Sequence, residues 1–246
     1  MLEHVWLLLK NNLKNNLFKR YFSFICMSIS PILIVILFCG METKGETHGR
    51  TALGFLIMFI FFKAFSSMER VIDDRYYNIY GRILTSSIKV YEYYLASILC
   101  ATVIMVFQIL VCLFSLKYIL RLNLGVGYIN LFIVLFFIGM VALSVATLGI
   151  CITSNYDKLN VISYFISMGF SILGGCYFSV QDMPLVVQKI AYFIPTTWAM
   201  EGIDKLLLGY RINKIWADIL MMILFSLTFF ILGVYIARKS ERIRVE

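Results

Sequence analysis

Residues 128–152 read YINLFIVLFFIGMVALSVATLGICI and contain no charged side chain. A helix needs about 20 apolar residues to cross the hydrocarbon core of a bilayer. The apolar residues here run without a break, whereas strands of a membrane barrel alternate apolar and polar residues. Because a helix satisfies all its backbone hydrogen bonds internally within lipid, this stretch predicts a membrane-spanning helix.

Further apolar runs of comparable length lie on both sides of this one. They are Tyr21–Gly40, Thr51–Ser67, Tyr93–Ser115, Val161–Phe178 and Trp216–Ala237. The whole sequence is 61% hydrophobic and only 15% charged, which is too apolar for a water-soluble domain. We therefore predict a single all-α domain over residues 1–246, a polytopic membrane helical bundle with six transmembrane helices.

Basic residues next to the spans predict the orientation of the chain. Lys19 and Arg20 precede the first predicted span, and Arg238 and Lys239 follow the last. Cytoplasmic loops and ends carry an excess of such residues. We expect a multi-pass protein of the cell (plasma) membrane with both termini in the cytoplasm. The formal net charge of +8 favours contact with anionic membrane lipid, and no nucleic-acid partner is expected.

Residues 1–20 show a helical stripe ahead of the first predicted span. Its members recur at spacings of three and four residues, and they are Leu2, Trp6, Leu9, Leu13 and Leu17. This pattern predicts a helix that lies in the membrane interface. Two interpretations stay open: a leader that only anchors the first span, and an interfacial helix with a function of its own.

The longest predicted cytoplasmic loop, residues 68–92, combines many charges with several tyrosines. A solvated loop does not need so many aromatic residues, whereas a surface that docks a soluble partner uses them. Short helices are expected within it, because it contains one glycine and no proline. The candidate coupling residues are Glu69, Arg70, Asp73, Asp74, Arg75 and Arg82. An ordinary solvated loop is the alternative.

Between the fifth and sixth predicted spans, residues 179–215 are apolar but broken by prolines. Neither half reaches spanning length, which is typical of re-entrant or interfacial half-helices packed against protein. A surface connector without a gating role is the alternative. Four candidate residues for the translocation pathway and outer gate lie in this segment, namely Pro184, Pro195, Trp198 and Glu201. Two more, Lys63 and Gln108, are polar residues inside the predicted spans. A lysine is costly inside a span, so Lys63 either extends toward the cytoplasmic interface or lines a cavity and contacts cargo or an acidic partner.

The motifs of catalysis are missing from the sequence. It contains no G-x-x-x-x-G-K-[ST] phosphate loop, no G-x-S-x-G and no H-E-x-x-H. The six cysteines form no C-x-x-C pair and the two histidines lie far apart, so we expect neither catalytic residues nor a metal site. The spans also lack the paired carboxylates that ion-coupled carriers use. We therefore expect a protein that is not itself an enzyme and whose driving energy comes from another chain.

Several stretches resemble the permease subunits of ABC-2 type transporters, of the kind that export drugs or antimicrobial peptides. The sequence GGCYF at 174–178, followed by Met-Pro at 183–184, resembles the small-residue end of that family's fifth span. IPTTWAMEGIDKLLLG at 194–209 resembles its proline-broken segment before the sixth span. Glu-Arg at 69–70 and LTSSI at 84–88 resemble its cytoplasmic coupling region.

This resemblance implies partners and a mechanism. It implies a dimer of permeases, either two identical copies or a copy and a paralogue. It also implies separate cytosolic ATPase subunits that hold ATP and Mg, since no cofactor is expected in this chain. Closure of those subunits would push on residues 68–92, and residues 179–215 would open or seal the outer exit for a hydrophobic drug, an antimicrobial peptide or a lipid-like cargo. The alternatives are an ATP-independent transporter or channel and a membrane-embedded enzyme acting on lipid.

Overall fold

The computed structural model describes residues 48–77, 79, 81, 90–118, 126–153 and 155–245, together with positions 29 and 33. The interfacial helix predicted at 1–20, nearly all of the first span predicted at 21–40, and Arg82 lie outside these residues. Within the described ranges every regular element is helical. The all-α prediction is therefore confirmed.

Eight α-helices follow one another along the described part of the chain. They are α1 (His48–Met68), α2 (Arg70–Tyr76), α3 (Val90–Tyr118), α4 (Tyr128–Ile152), α5 (Tyr156–Leu173), α6 (Leu185–Ala191), α7 (Pro195–Leu207) and α8 (Trp216–Val245). Short 3-10 turns at Val180–Asp182 and Ile212–Lys214 precede α6 and α8. The segment between α5 and α8 is thus built from two short helices, and Pro195 begins the second of them, where its missing N–H costs no hydrogen bond.

Four helical segments in the described part of the chain are long and apolar enough to cross a membrane. The first is Gly49–Tyr76, which contains nearly all of α1 and the whole of α2. The others are Tyr91–Tyr118, Tyr128–Ile152 and Trp216–Ala237. These segments correspond to the second, third, fourth and sixth predicted spans. They support a multi-pass membrane protein, while the total of six spans stays a prediction.

The fifth predicted span, Val161–Phe178, differs from the helix that the structure contains. Helix α5 begins at Tyr156 and ends at Leu173, and it is not among the four segments above. It ends where Gly175 adopts a φ of 78°, a conformation that glycine tolerates and other residues rarely adopt. One face of α5 is polar and buried, with Ser163, Ser167 and Ser171 at intervals of four residues. Together with Asp157, Lys158 and Asn160 near its start, these serines make α5 less apolar than the four segments above.

Helix α4 lies at the centre of the bundle and packs against α1, α3, α7 and α8. In the most apolar 18-residue stretch of α4, 67% of the residues are buried inside the bundle, against 17% in the corresponding stretch of α8. A helix that is apolar on all sides is expected in this central position. Small residues bring the neighbouring helices close: a Cβ on Gly233 of α8 would come within 3.3 Å of the Leu148 backbone of α4, and Ser144 and Ser226 hydrogen-bond across the same interface at 2.9 Å.

Helix α1 meets the turn after α5 with almost no space between them. A Cβ on Gly54 would overlap the carbonyl oxygen of Cys176. A Cβ on Gly174 would in turn overlap the Oγ1 atom of Thr196 at the start of α7. The glycines thus let three segments, α1, the 174–176 turn and α7, approach one another at one end of the bundle.

Candidate functional site

Two groups of polar residues hold the helices together at opposite ends of the bundle. The first, here called the α2 cluster, consists of Asp73, Asp74, Arg75, Tyr93, Tyr94 and Tyr156. The second, here called the α7 cluster, consists of Arg50, Glu201, Asp204, Lys205 and Asp218. The α2 cluster lies where α1 and α4 end, and the α7 cluster lies where α1 and α8 begin.

In the α2 cluster, two tyrosine hydroxyls donate hydrogen bonds to aspartates of α2. Tyr93 of α3 donates to Asp74 Oδ2 at 2.6 Å, and Tyr156 of α5 donates to Asp73. The side chain of Asp74 is only 6% exposed and that of Tyr93 only 1%. A buried carboxylate needs such donors, because leaving it unsatisfied in a low-dielectric interior is costly.

Arg75 extends the same cluster to two more partners. Its Nη1 atom donates to the backbone carbonyl of Ile150 near the end of α4, at 2.8 Å, and its Nη2 atom donates to the Tyr94 hydroxyl. The last carbonyls of a helix have no partner within that helix, so a guanidinium satisfies one of them here. The short helix α2 is thereby connected to α3, α4 and α5 at once.

The charged residues of α2 do not lie on an open, solvated loop. Helix α2 follows α1 with only Glu69 between them, and Asp73, Asp74 and Arg75 have partners within the chain. Arg70 is half-buried in the first turn of α2. The aromatic residues at the end of α2 are instead the exposed ones, with Tyr76 at 79% and Tyr77 at 65%. A role in coupling stays a prediction for all of these residues.

The α7 cluster is held by ion pairs. Arg50 Nε donates to Asp204 Oδ1 at 2.7 Å, and Arg50 Nη2 donates to Asp204 Oδ2 at 3.2 Å and to the carbonyl of Gly175 at 2.9 Å. Such a bidentate pair fixes orientation as well as distance. One guanidinium therefore connects the beginning of α1 to α7 and to the turn after α5.

The second ion pair of the α7 cluster connects α7 to α8. Lys205 Nζ lies 2.8 and 2.6 Å from the two carboxylate oxygens of Asp218. Asp218 is 1% exposed, whereas Lys205 is 33% exposed. Asp218 is thus the buried member, and its stability in the charged form depends on this ammonium.

Glu201 lies one helical turn before Lys205 and is half-buried. Burial raises the pKa of Glu201, Lys205 opposes that rise, and the nearby carboxylates of Asp218 and Asp204 add to it. Two like charges near a partly buried carboxyl favour its protonated form. The α7 cluster therefore contains one group whose proton affinity depends on the geometry of the two ion pairs.

The other predicted pathway residues lie in varied surroundings. Lys63 of α1 and Gln108 of α3 are 6% and 3% exposed, and Lys63 interacts electrostatically with Glu69 at the end of α1. Trp198 donates its Nε1–H to the carbonyl of Tyr192, at 3.1 Å. Pro195 is buried at the start of α7, whereas Pro184 is exposed at the start of α6. Of the six predicted pathway and gate residues, Glu201 alone belongs to the α7 cluster.

Sequence reasoning missed the residues that complete both clusters. Arg50 and Asp204 are separated by 154 positions, and Tyr156 and Asp73 by 83, so no local spacing connects them. Asp218 did carry a signal, since a carboxylate in the first turn of an apolar span requires a partner. The described residues hold no group of three or more His, Cys, Asp or Glu that could bind a metal ion.

Comparison with known proteins places the chain in a family. Residues 42–235 match the family described as ABC-2 family transporter protein. The linearmycin resistance permease protein LnrN of Bacillus subtilis (strain 168) is 26% identical over 181 residues, which make up 72% of this chain and 45% of that protein. The chain thus spans less than half the length of this relative.

The matched region contains every helix from α1 to α7, most of α8 and both polar clusters. The class of protein is therefore a multi-pass helical membrane transport protein. The chain belongs to the ABC-2 family of transporter proteins and is a permease-type membrane subunit.

Proposed function

We propose that this chain is the membrane-spanning subunit of an ATP-driven exporter. Two permease subunits, identical or paralogous, form the translocation pathway, and separate cytosolic ATPase subunits bind ATP and Mg. The cargo is a hydrophobic drug, an antimicrobial peptide or a lipid-like molecule. The relative from Bacillus subtilis is named for resistance to linearmycin, which supports linearmycin as the first cargo to test.

The connection of α2 to three other helices is the observation that carries this proposal. Because Asp73, Asp74 and Arg75 bond to α3, α4 and α5, a push on α2 displaces the end of the bundle as one body. The exposed rings of Tyr76 and Tyr77, which lie at the end of α2, offer a contact surface for the ATPase. Aromatic residues are enriched in the centres of such interfaces.

At the opposite end, we assign the outer gate to α6, α7 and the α7 cluster. Its ion pairs join the beginning of α1, the turn after α5, α7 and the beginning of α8. Rearrangement of these pairs would let α6 and α7 separate from α1. Glu201 would change its proton affinity in the same step, because its neighbours in the α7 cluster would move.

The orientation of this path follows from the basic residues that flank the spans. The α2 cluster would face the cytoplasm and the α7 cluster the outside. In a cysteine-free background, labelling from outside should modify a cysteine at Gln181 and spare one at Asp157. Labelling of Asp157→Cys from outside would reverse the orientation.

Co-purification with the ATPase tests the proposed docking surface. Tyr76→Ala combined with Tyr77→Ala should reduce recovery of the ATPase at least about tenfold, because truncating an interface hot spot costs about 2 kcal/mol or more. The variant should retain the thermal stability of the wild type, since both side chains are exposed. Tyr235→Ala is the matched control, an equally exposed tyrosine (64%) on α8. Equal recovery of the ATPase with both variants would exclude this surface.

Transport in vesicles distinguishes this function from an ATP-independent carrier or channel. Vesicles that contain the chain and its ATPase should accumulate linearmycin, or a cationic antimicrobial peptide, only when ATP and Mg are supplied outside. Accumulation at the same rate without nucleotide would favour the ATP-independent alternative.

A further inference from the structure

A crevice of about 600 Å³ lies between the end of α3 and the beginning of α4. This volume falls within the range of small-molecule sites in proteins. Carbon atoms form nearly all of its walls, which include Val111, Phe114, Tyr118, Tyr128 and Phe132. The polar clusters described above contribute no residue to it. Neither the coupling surface nor the outer gate therefore accounts for this crevice.

Lys117 is the charged residue among those that line the crevice. Its Nζ atom lies 5.4 Å from the ring centroid of Tyr118 and 5.2 Å from that of Tyr128. Two aromatic faces attract an ammonium and hold it in position. In the part of the chain that the structure describes, no carboxylate pairs with Lys117. The ammonium thus retains the capacity to bind an anion.

The position of the crevice suggests the kind of molecule that fills it. Tyr118 is the last residue of one candidate membrane span, and Tyr128 is the first residue of the next. Tyrosine and lysine are typical of the level of the lipid headgroups. Phe114, one turn deeper along α3, is 60% exposed. The apolar part of the crevice therefore lies at hydrocarbon depth, with Lys117 at headgroup level.

We propose that this crevice binds one anionic membrane phospholipid, with an acyl chain between α3 and α4 and the phosphate on Lys117. A free phosphate would use Lys117 and leave the apolar walls without a partner. A zwitterionic lipid would fill the walls, but its own cation would oppose the ammonium. This inference does not depend on ATP-driven export.

Native mass spectrometry of the detergent-purified full chain tests the site. Titration with phosphatidylglycerol should show one tightly bound lipid per chain, and phosphatidylcholine should bind several-fold more weakly. Lys117→Gln should weaken the first phosphatidylglycerol about fivefold, because two opposite unit charges about 4 Å apart in water attract by about 1 kcal/mol. Lys117→Arg should restore that affinity.

Two matched controls separate this crevice from general contact with lipid. Lys214 also stacks on a tyrosine, at 4.5 Å from the ring centroid of Tyr210, but lies outside the crevice. Lys214→Gln should therefore leave the affinity unchanged. Ile129→Phe, at an exposed position that lines the crevice, should weaken both lipids, whereas Val103→Phe elsewhere on α3 should weaken neither.

Several results would overturn the assignment. Equal loss with Lys117→Gln and Lys214→Gln would mean that lipid follows net charge alone. Displacement of the lipid by millimolar inorganic phosphate would mean that the apolar walls are not used. A change of oligomeric state in Ile129→Phe, without a change in lipid affinity, would mean that a second copy of the chain covers the crevice.

Discussion

At the α2 cluster a tyrosine hydroxyl faces each of two aspartates, whereas at the α7 cluster an ammonium or a guanidinium faces each aspartate. Both clusters connect several helices, but Arg75 in the α2 cluster donates to a backbone carbonyl and a tyrosine hydroxyl, whereas the cations of the α7 cluster donate to the aspartates themselves. Ion pairs are directional and respond to salt and to protonation. In the proposed mechanism the α2 end moves as one body, whereas the α7 end separates and re-forms. Substitutions at the two ends should therefore differ in the size of their effects, with the largest at the α7 end.

Lys205→Met should produce the largest loss of stability at the α7 cluster. It leaves Asp218, which is 1% exposed, as a buried carboxylate without this counter-ion, at a cost of about 3–5 kcal/mol. Asp218→Asn should cost less, because Lys205 is partly exposed and can reach water. Thermal unfolding in detergent measures both variants. A larger loss for Asp218→Asn would mean that Lys205 is the more buried charge.

Gly54→Ala tests how closely α1 approaches the turn beside the α7 cluster. The new methyl group would overlap the backbone of Cys176, which cannot move as a flexible side chain does, and overpacking costs about 1–3 kcal/mol. Gly169→Ala is the control, because a Cβ there meets nothing within 4 Å. That variant should gain stability, by about 0.5–1 kcal/mol for alanine over glycine within a helix. Equal melting temperatures for both variants would contradict the close packing of α1.

Tyr93→Phe removes the hydroxyl that donates to Asp74 in the α2 cluster. The buried carboxylate loses a donor, so the free energy of unfolding should fall by about 1–3 kcal/mol. Asp74→Ala should be destabilising for the same reason, through the buried hydroxyl of Tyr93. The sum of the two single changes should exceed the effect of the double variant, which thermal unfolding can measure. Strict additivity would mean that the two groups do not interact.

Glu201→Gln should have the smallest effect, and that effect should depend on pH. Because burial raises the pKa of Glu201 above its unfolded value, its contribution to stability is complete below the unfolded pKa, about 4.3. That contribution is lost as pH rises through the folded pKa. The variant should thus be more stable than the wild type at pH 7, by less than about 1 kcal/mol for this partly exposed group. The difference should vanish at pH 4; a constant difference across this range would contradict the raised pKa.

The sequence predicts the apolar spans well because each is a continuous local signal. Residues 128–152, predicted as a helix from their apolar run, form α4 with the same bounds. The fifth span is less predictable, because the turn at Gly175 that ends α5 packs closely against α1. Charges on α2 are visible in the sequence as a dense group. Their partners on α3, α4 and α5 are not, since hydrogen bonds between distant positions leave no spacing to detect.

The burial of Asp74 changes one expectation about the charges on α2. As solvated loop residues, Asp73 and Asp74 would tolerate truncation without loss of stability. With Asp74 buried against Tyr93, a loss of ATPase binding after Asp74→Ala could follow from a loss of folding. The exposed pair Tyr76 and Tyr77 therefore gives the cleaner test of docking.

In the proposed mechanism, force enters at α2 and the α7 end must separate for cargo to pass. Arg50→Cys and Asp204→Cys, in a background without the six native cysteines, can be joined by a cleavable bifunctional maleimide. ATP-driven cargo accumulation is then measured in vesicles that also contain the ATPase, with the two single-cysteine variants as controls for the reagent. Cross-linking should stop accumulation while the ATPase stays bound, and cleavage of the linker should restore it. Accumulation at an unchanged rate in the cross-linked protein would contradict this mechanism.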